Sequence, residues 1–177
     1  YLEQGRIRTG LSWDSNGGQI TVDGSSATAY LDGSFDLVCS TNGFFVWIAD
    51  LARVFGEISR VLCRGGSYVF YDVHPFQRPW KDQVQPIEMR KAYWDTGPYR
   101  SDAPDAAYEF NWTLADILNP LVASGLVLRK VVESPATDPR FWEGHSYEPG
   151  RDAGLLDWRN NPRAGLPVWL TVAAERV

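Results

Sequence analysis

Few side chains in this sequence can carry acid–base or nucleophilic chemistry, and His74 heads them. It is one of two histidines and lies in "DVHPF", directly after the apolar run "SYVFYDV". An imidazole titrates near neutrality, which makes His74 the candidate general base. Asp72 and Tyr71, just before it, are the fallbacks. A lone histidine in a proline-flanked loop is more often a structural hydrogen-bonding residue. His145 sits with Glu143 and Glu148 in a polar stretch that is one convincing ligand short of a metal site, so no metal is expected. Ser, His and Asp all occur, but no "GxSxG" elbow presents a nucleophile.

Two clusters of small polar residues suit a different task. "DGSSA" contains Asp23, Gly24, Ser25 and Ser26; "CSTNG" contains Cys39, Ser40, Thr41 and Asn42. Such residues let a ligand approach the backbone closely and offer it hydrogen bonds. Each cluster alone also reads as an ordinary turn or a capped helix start. Their joint weight comes from position, because each follows a strand-like run, as "DVHPF" does. In open parallel sheets, ligands bind outside the carboxyl ends of the strands.

The elements that would place these residues are legible in the hydrophobic pattern. "QITV" is a short strand, and "SFDLVCS" a continuous apolar strand of the kind buried on both faces. Ile48, Leu51, Phe55, Ile58 and Leu62 recur at helical spacing, with Asp50, Arg53, Glu57 and Arg60 elsewhere on the wheel. Gly65 and Gly66 are expected to stop that helix before "SYVFYDV". Strand, crossover helix and strand make a right-handed βαβ unit, and so a doubly wound α/β protein. Downstream, "YEFNW" reads as a short strand. Thr113 and Asp116 mark a capping-box start, Gly125 a stop, and Pro120 should kink or shorten the helix between them. "LVLRKVVES" and "LPVWLTVAAERV" are the last strands. "YLEQGRIRTGLS" at the front reads as the tail of a helix ending near Gly10.

Two long connections interrupt this scheme. Residues 75–107 carry five prolines and no sustained period, which suits either a substrate lid or a surface excursion packed by Trp80, Tyr93 and Trp94. Residues 135–165 form a second, polar, aromatic-studded connection.

Composition narrows the function. The chain has 177 residues, 44% apolar, with a net charge of −5 and a pI near 5.0. That is one domain's worth of globular protein with no basic stripe, which argues against nucleic acid as a partner. No apolar run is long enough to span a bilayer, so no membrane partner is expected. Cys39 and Cys63 lack metal-ligand spacing and are too few for a disulfide framework, which fits a reducing cytoplasm.

The run "DGSFDLVCSTNGFFVWIADLARVFGEISRVLCRGGSYVFYDVHPF" resembles the class I S-adenosylmethionine (SAM)-dependent methyltransferases, specifically their small-molecule, type 11-like group. "YEFNWTLADILNPLVASGLVLRKVVES" and the terminal "LPVWLTVAAERV" follow in that family's order. The resemblance implies a Rossmann-like sheet, mostly parallel with an antiparallel C-terminal strand, and SAM as cofactor. It places Asp23, Gly24, Ser25 and Ser26 at the adenine, and Cys39, Ser40, Thr41 and Asn42 under the methionine part. Phe44 and Phe45 would wall the cofactor or substrate. His74 would face a small-molecule acceptor, with residues 75–107 as its lid.

The sequence departs from the family at its front. The glycine-rich SAM loop of the form "D-x-G-x-G-x-G", and the first two strands that frame it, have no counterpart. Those strands would lie between "QITV" and "SFDLVCS", so the remaining strands are not expected to make one continuous sheet. The single domain of residues 1–177 is therefore expected to be partial, its missing strands supplied by a preceding segment or by another chain, such as a second copy. Two other readings are a non-catalytic methyltransferase-fold subunit or fragment, and a nucleotide-dependent oxidoreductase. The latter would need the same glycine loop and lacks a helical Tyr-x-x-x-Lys.

Overall fold

The computed structural model describes residues 11–13, 20–22, 32–81, 86–100, 108–143 and 153–177. Strands β1 (Leu11–Trp13) and β2 (Ile20–Val22) form an antiparallel pair. β1 starts directly after the helix end read near Gly10, and that helix tail lies outside the described residues. The main sheet holds β3 (Phe35–Ser40), β4 (Leu62–Val73), β5 (Leu126–Ser134) and β6 (Trp169–Arg176) in the order β3-β4-β6-β5. β3 and β4 are parallel, and β6 runs antiparallel between β4 and β5. This is the mixed, mostly wound sheet expected, in two separate sheets rather than one.

Helix α1 (Leu51–Val61) makes the crossover from β3 to β4. Asp50 caps it by accepting from Arg53 N at 2.9 Å. Leu51, Val54, Phe55, Ile58 and Val61 are buried against the sheet. The helix stops at Val61, earlier than the two glycines, because Leu62 is already extended. Gly65 and Gly66 serve a bulge instead. The pairing jumps from Phe35–Leu62 to Leu37–Ser67, and Gly65 takes φ +79° inside the jump.

Helix α2 (Leu114–Ala123) begins at Thr113 with the expected reciprocal cap: Asp116 N donates to Thr113 Oγ1 at 3.1 Å, and Thr113 N to Asp116 Oδ2 at 3.0 Å. Pro120 does not end it. One hydrogen bond is lost, but burial of Ile117 and Leu121 holds the segment helical to Ala123. "YEFNW" forms no strand. Glu109 bridges Tyr99, Phe110 N bonds to Val46 O, and Asn111 N bonds to Thr96 O, so its backbone is shared between two segments and builds no ladder.

Both helices lie on one face of the sheet, over Val38, Tyr68, Phe70, Val172 and Ala174. The pleat sends Leu37, Cys39, Val69, Tyr71, Thr171 and Val132 to the other face. Among the described helices only the short Arg140–Glu143 turn reaches that face, where Phe141 meets Trp169 at 5.2 Å, and Leu37 is 52% exposed. β3 is also the edge strand. Among the described residues, an apolar strand is thus open along one edge and most of one face.

Candidate functional site at the carboxyl edge of the sheet

The antiparallel placement of β6 brings the carboxyl ends of β3, β4 and β5 to one edge of the sheet, beside Trp169. Ser40 pairs with Phe70, so β4 runs three residues further and sets Asp72 opposite the loop that leaves β3. The Asp72 side chain is buried. Its Oδ1 accepts from Gly43 N at 3.0 Å and Val73 N at 2.7 Å, its Oδ2 lies 3.5 Å from Phe45 N, and Arg78 Nη2 is 3.8 Å from Oδ1. A carboxylate out of water needs such partners. Asp72 therefore fixes the 41–45 loop onto the end of β4.

The predicted cofactor residues divide here. Ser40 faces inward, and its hydroxyl shares a 2.7 Å hydrogen bond with the buried Tyr68 hydroxyl. Burial drives the Tyr68 phenol well above its ordinary pKa, so it stays neutral. Thr41 and Asn42 are exposed on the loop. Cys39, one pleat earlier, points to the uncovered face, and desolvation raises its thiol pKa. Phe45 departs from the expected wall. It is a core residue, 4.9 Å edge-on to Phe70 and 5.4 Å from Phe44, with only a side against the narrow cleft bounded by Asp72, Arg78 and Trp112. Asp23, Gly24, Ser25 and Ser26 lie outside the described residues, as does His145.

His74 also departs from its expected setting, because its side chain is fully buried. Nδ1 accepts from Phe76 N at 3.1 Å, which caps the 3-10 turn Pro75–Gln77 and occupies the lone pair a base would use. The proton of the neutral ring is thereby assigned to Nε2, 2.8 Å from Glu133 Oε1. That nitrogen has no well-aligned hydrogen bond, so the contact is electrostatic. Burial lowers the His74 pKa, and Glu133 opposes the shift without reversing it. Tyr71, a fallback base, stacks on Trp169 at 4.9 Å on the uncovered face, its pKa raised by burial.

Beyond β4 the two long connections meet. Arg163 Nη1 donates to Lys81 O at 2.7 Å and Nη2 to Gln77 Oε1 at 3.2 Å, while Gln77 Nε2 donates to Pro167 O at 3.0 Å. Between them opens a cleft of about 290 Å³ lined by Arg78, Arg90, Arg163, Gln77, Trp80 and Trp142, with Val73 at its base. Sequence reasoning missed both Asp72's clamp and this arginine lining. The arginines were visible only as charges scattered over two loops. Among the described residues no group of His, Cys, Asp or Glu could hold a metal.

Residues 12–70 match a family described as a methyltransferase domain, and that match spans β3, α1 and most of β4. The sheet superposes on an S-adenosylmethionine-dependent methyltransferase of Mesorhizobium loti with a TM-score of 0.57, at 22% identity, over 84% of this chain. Residues 12–70 thus carry a methyltransferase-domain sequence, on a fold shared with S-adenosylmethionine-dependent methyltransferases. Geranyl diphosphate C-methyltransferase from Streptomyces coelicolor A3(2) shares the fold at a TM-score of 0.50 and 19% identity, over 85% of this chain and 49% of its own. A glycine/sarcosine/dimethylglycine N-methyltransferase of Actinopolyspora halophila is 27% identical over 162 residues, 89% of this chain. The chain spans 28% of that relative's length and 65% of the Mesorhizobium protein's.

Proposed function

We propose that this chain takes part in SAM-dependent methyl transfer to a small-molecule acceptor. The observation that carries the reading is the Asp72 clamp, which holds the 41–45 loop in one conformation at the carboxyl edge of the sheet. The methionine part of SAM would lie over that loop, meeting the backbone of residues 40–43 and the exposed Thr41 and Asn42. The methyltransferase match and the fold agree with that cofactor.

SAM, when bound, supplies a methyl group on a sulfonium for in-line displacement. The chain's residues then contribute position and exclusion of water. Asp72 orients the loop. Tyr68, kept neutral by burial, holds the Ser40 hydroxyl. His74 sets the turn from β4 into residues 75–81, and so acts as a positioning residue rather than a free base.

The open edge of β3 and the uncovered sheet face support one addition. Strands from a further polypeptide segment, or from a second chain, pair against β3 and complete the cofactor seat. The same observation favours, as a second reading, a methyltransferase-fold subunit that binds no SAM by itself. Calorimetry on the purified chain, with its association state measured in parallel, tests the addition. The monomer is expected to give no micromolar SAM binding. Micromolar binding by the monomer would contradict a shared seat.

A further inference from the structure

The polar side chains of the arginine cleft are hydrogen-bond donors with no spare acceptor, set beside the apolar Val73 and Phe141. Arg78, Arg90 and Arg163 place three guanidinium groups around it, and no carboxylate is among the lining residues. Gln77 uses both ends of its amide, on Arg163 and on Pro167 O. Trp80 gives its indole N–H to Phe76 O at 2.7 Å. Arg90 gives its Nε–H to Arg78 O at 3.3 Å, and its terminal nitrogens have no partner among the described residues. Trp142 is 4% exposed, and its Nε1–H has no hydrogen-bond partner. A buried donor left unmatched costs free energy that a bound acceptor recovers.

The nearest carboxylate is Asp72, 3.8 Å from Arg78, and it already serves three backbone N–H groups. Burial lowers the Arg78 pKa; the Asp72 and Glu109 charges oppose that shift, and the Arg90 charge adds to it. Val73, next to the Asp72 clamp that fixes the 41–45 loop, is among the residues lining the cleft. A molecule seated in it would have its far end at the carboxyl edge of the sheet.

We propose that the cleft among Arg78, Arg90, Arg163 and Trp142 binds the anionic group, a carboxylate or a phosphate, of the methyl acceptor. Guanidinium forks and an indole N–H match the geometry of either oxyanion. The word "acceptor" rests on the methyl-transfer reading above; the anion site itself does not.

The test is a titration of the indole N–H signals of the 15N-tryptophan-labelled chain, with Trp142 assigned from Trp142→Phe. Inorganic phosphate and succinate are added separately, without SAM. At least one should shift the Trp142 signal saturably, and more weakly at high salt. The stronger of the two names the acceptor's group. Arg90→Gln, at an exposed side chain, should keep the melting temperature and weaken that binding about tenfold or more. A Trp142 signal unmoved by either anion, or affinity unchanged in Arg90→Gln, would overturn the site. Anion binding by a completed enzyme that methylates only uncharged acceptors would instead overturn the acceptor assignment and leave the site standing.

Discussion

Asp72 Oδ1 accepts the Gly43 N–H at 3.0 Å, joining the end of β4 to a loop 29 positions earlier. The bond exists because β4 outruns β3 by three residues beyond the Ser40–Phe70 pair. Gly43 stands at φ +83°, a conformation that L side chains rarely adopt, so the loop's shape and its tether are fixed together.

Asp72→Ala should release that loop. Removing a buried acceptor strands the N–H groups of Gly43 and Val73 and leaves Arg78 without its facing charge, a cost of about 1–3 kcal/mol. Denaturant unfolding measures the loss. Hydrogen exchange should quicken at Gly43 and Phe45, which a general loss of packing would not single out. Asp72→Asn keeps one acceptor oxygen and should cost less.

Acid should weaken the fold through His74. Its folded pKa lies below the value of about 6.5 it takes when unfolded. Above pH 6.5 both states hold a neutral ring and the contribution is whole. Below it the unfolded chain binds the proton first, so stability falls until the folded pKa is passed. His74→Asn retains a cap acceptor for Phe76 N and should flatten the urea midpoint between pH 6.5 and 5. An unchanged slope would show that another group carries it.

Gly66 admits no side chain. A Cβ there would stand 2.9 Å from Cys63 O and 3.1 Å from Phe35 O, both backbone atoms. Gly66→Ala should therefore destabilise by about 1–3 kcal/mol through forced backbone shifts. Gly56→Ala, where nothing lies within 4 Å, should be neutral or stabilising in the thermal melt.

Leu121 ties α2 to the core and is fully buried. Leu121→Ala should cost about 2–5 kcal/mol, read from the shift in denaturant midpoint.

What the sequence disclosed and what it withheld divide along contact range. The period of Leu51, Phe55 and Ile58, the Thr113–Asp116 cap and the unbroken apolar run of β3 are local signals, and they yielded α1, α2 and the strands. The exposed edge of β3 followed from strand order. Asp72 read only as a fallback base, because nothing local says that β4 extends past its partner. His74 read as a base because burial and the Phe76 N–H are tertiary facts. Gln77 and Arg163, 86 positions apart, meet only once both long connections fold over the same strand end. "YEFNW" looked like a strand because its composition is that of one, whereas its hydrogen bonds alternate between two different segments.

The most direct test of a cofactor seat over the 41–45 loop is an S-adenosylhomocysteine titration of the chain followed by backbone amide NMR. The account predicts weak, millimolar shifts gathered on residues 40–45 and on Asp72 and Val73, lost in Asp72→Ala. Shifts clustered elsewhere, or none at these residues at millimolar ligand, would contradict it.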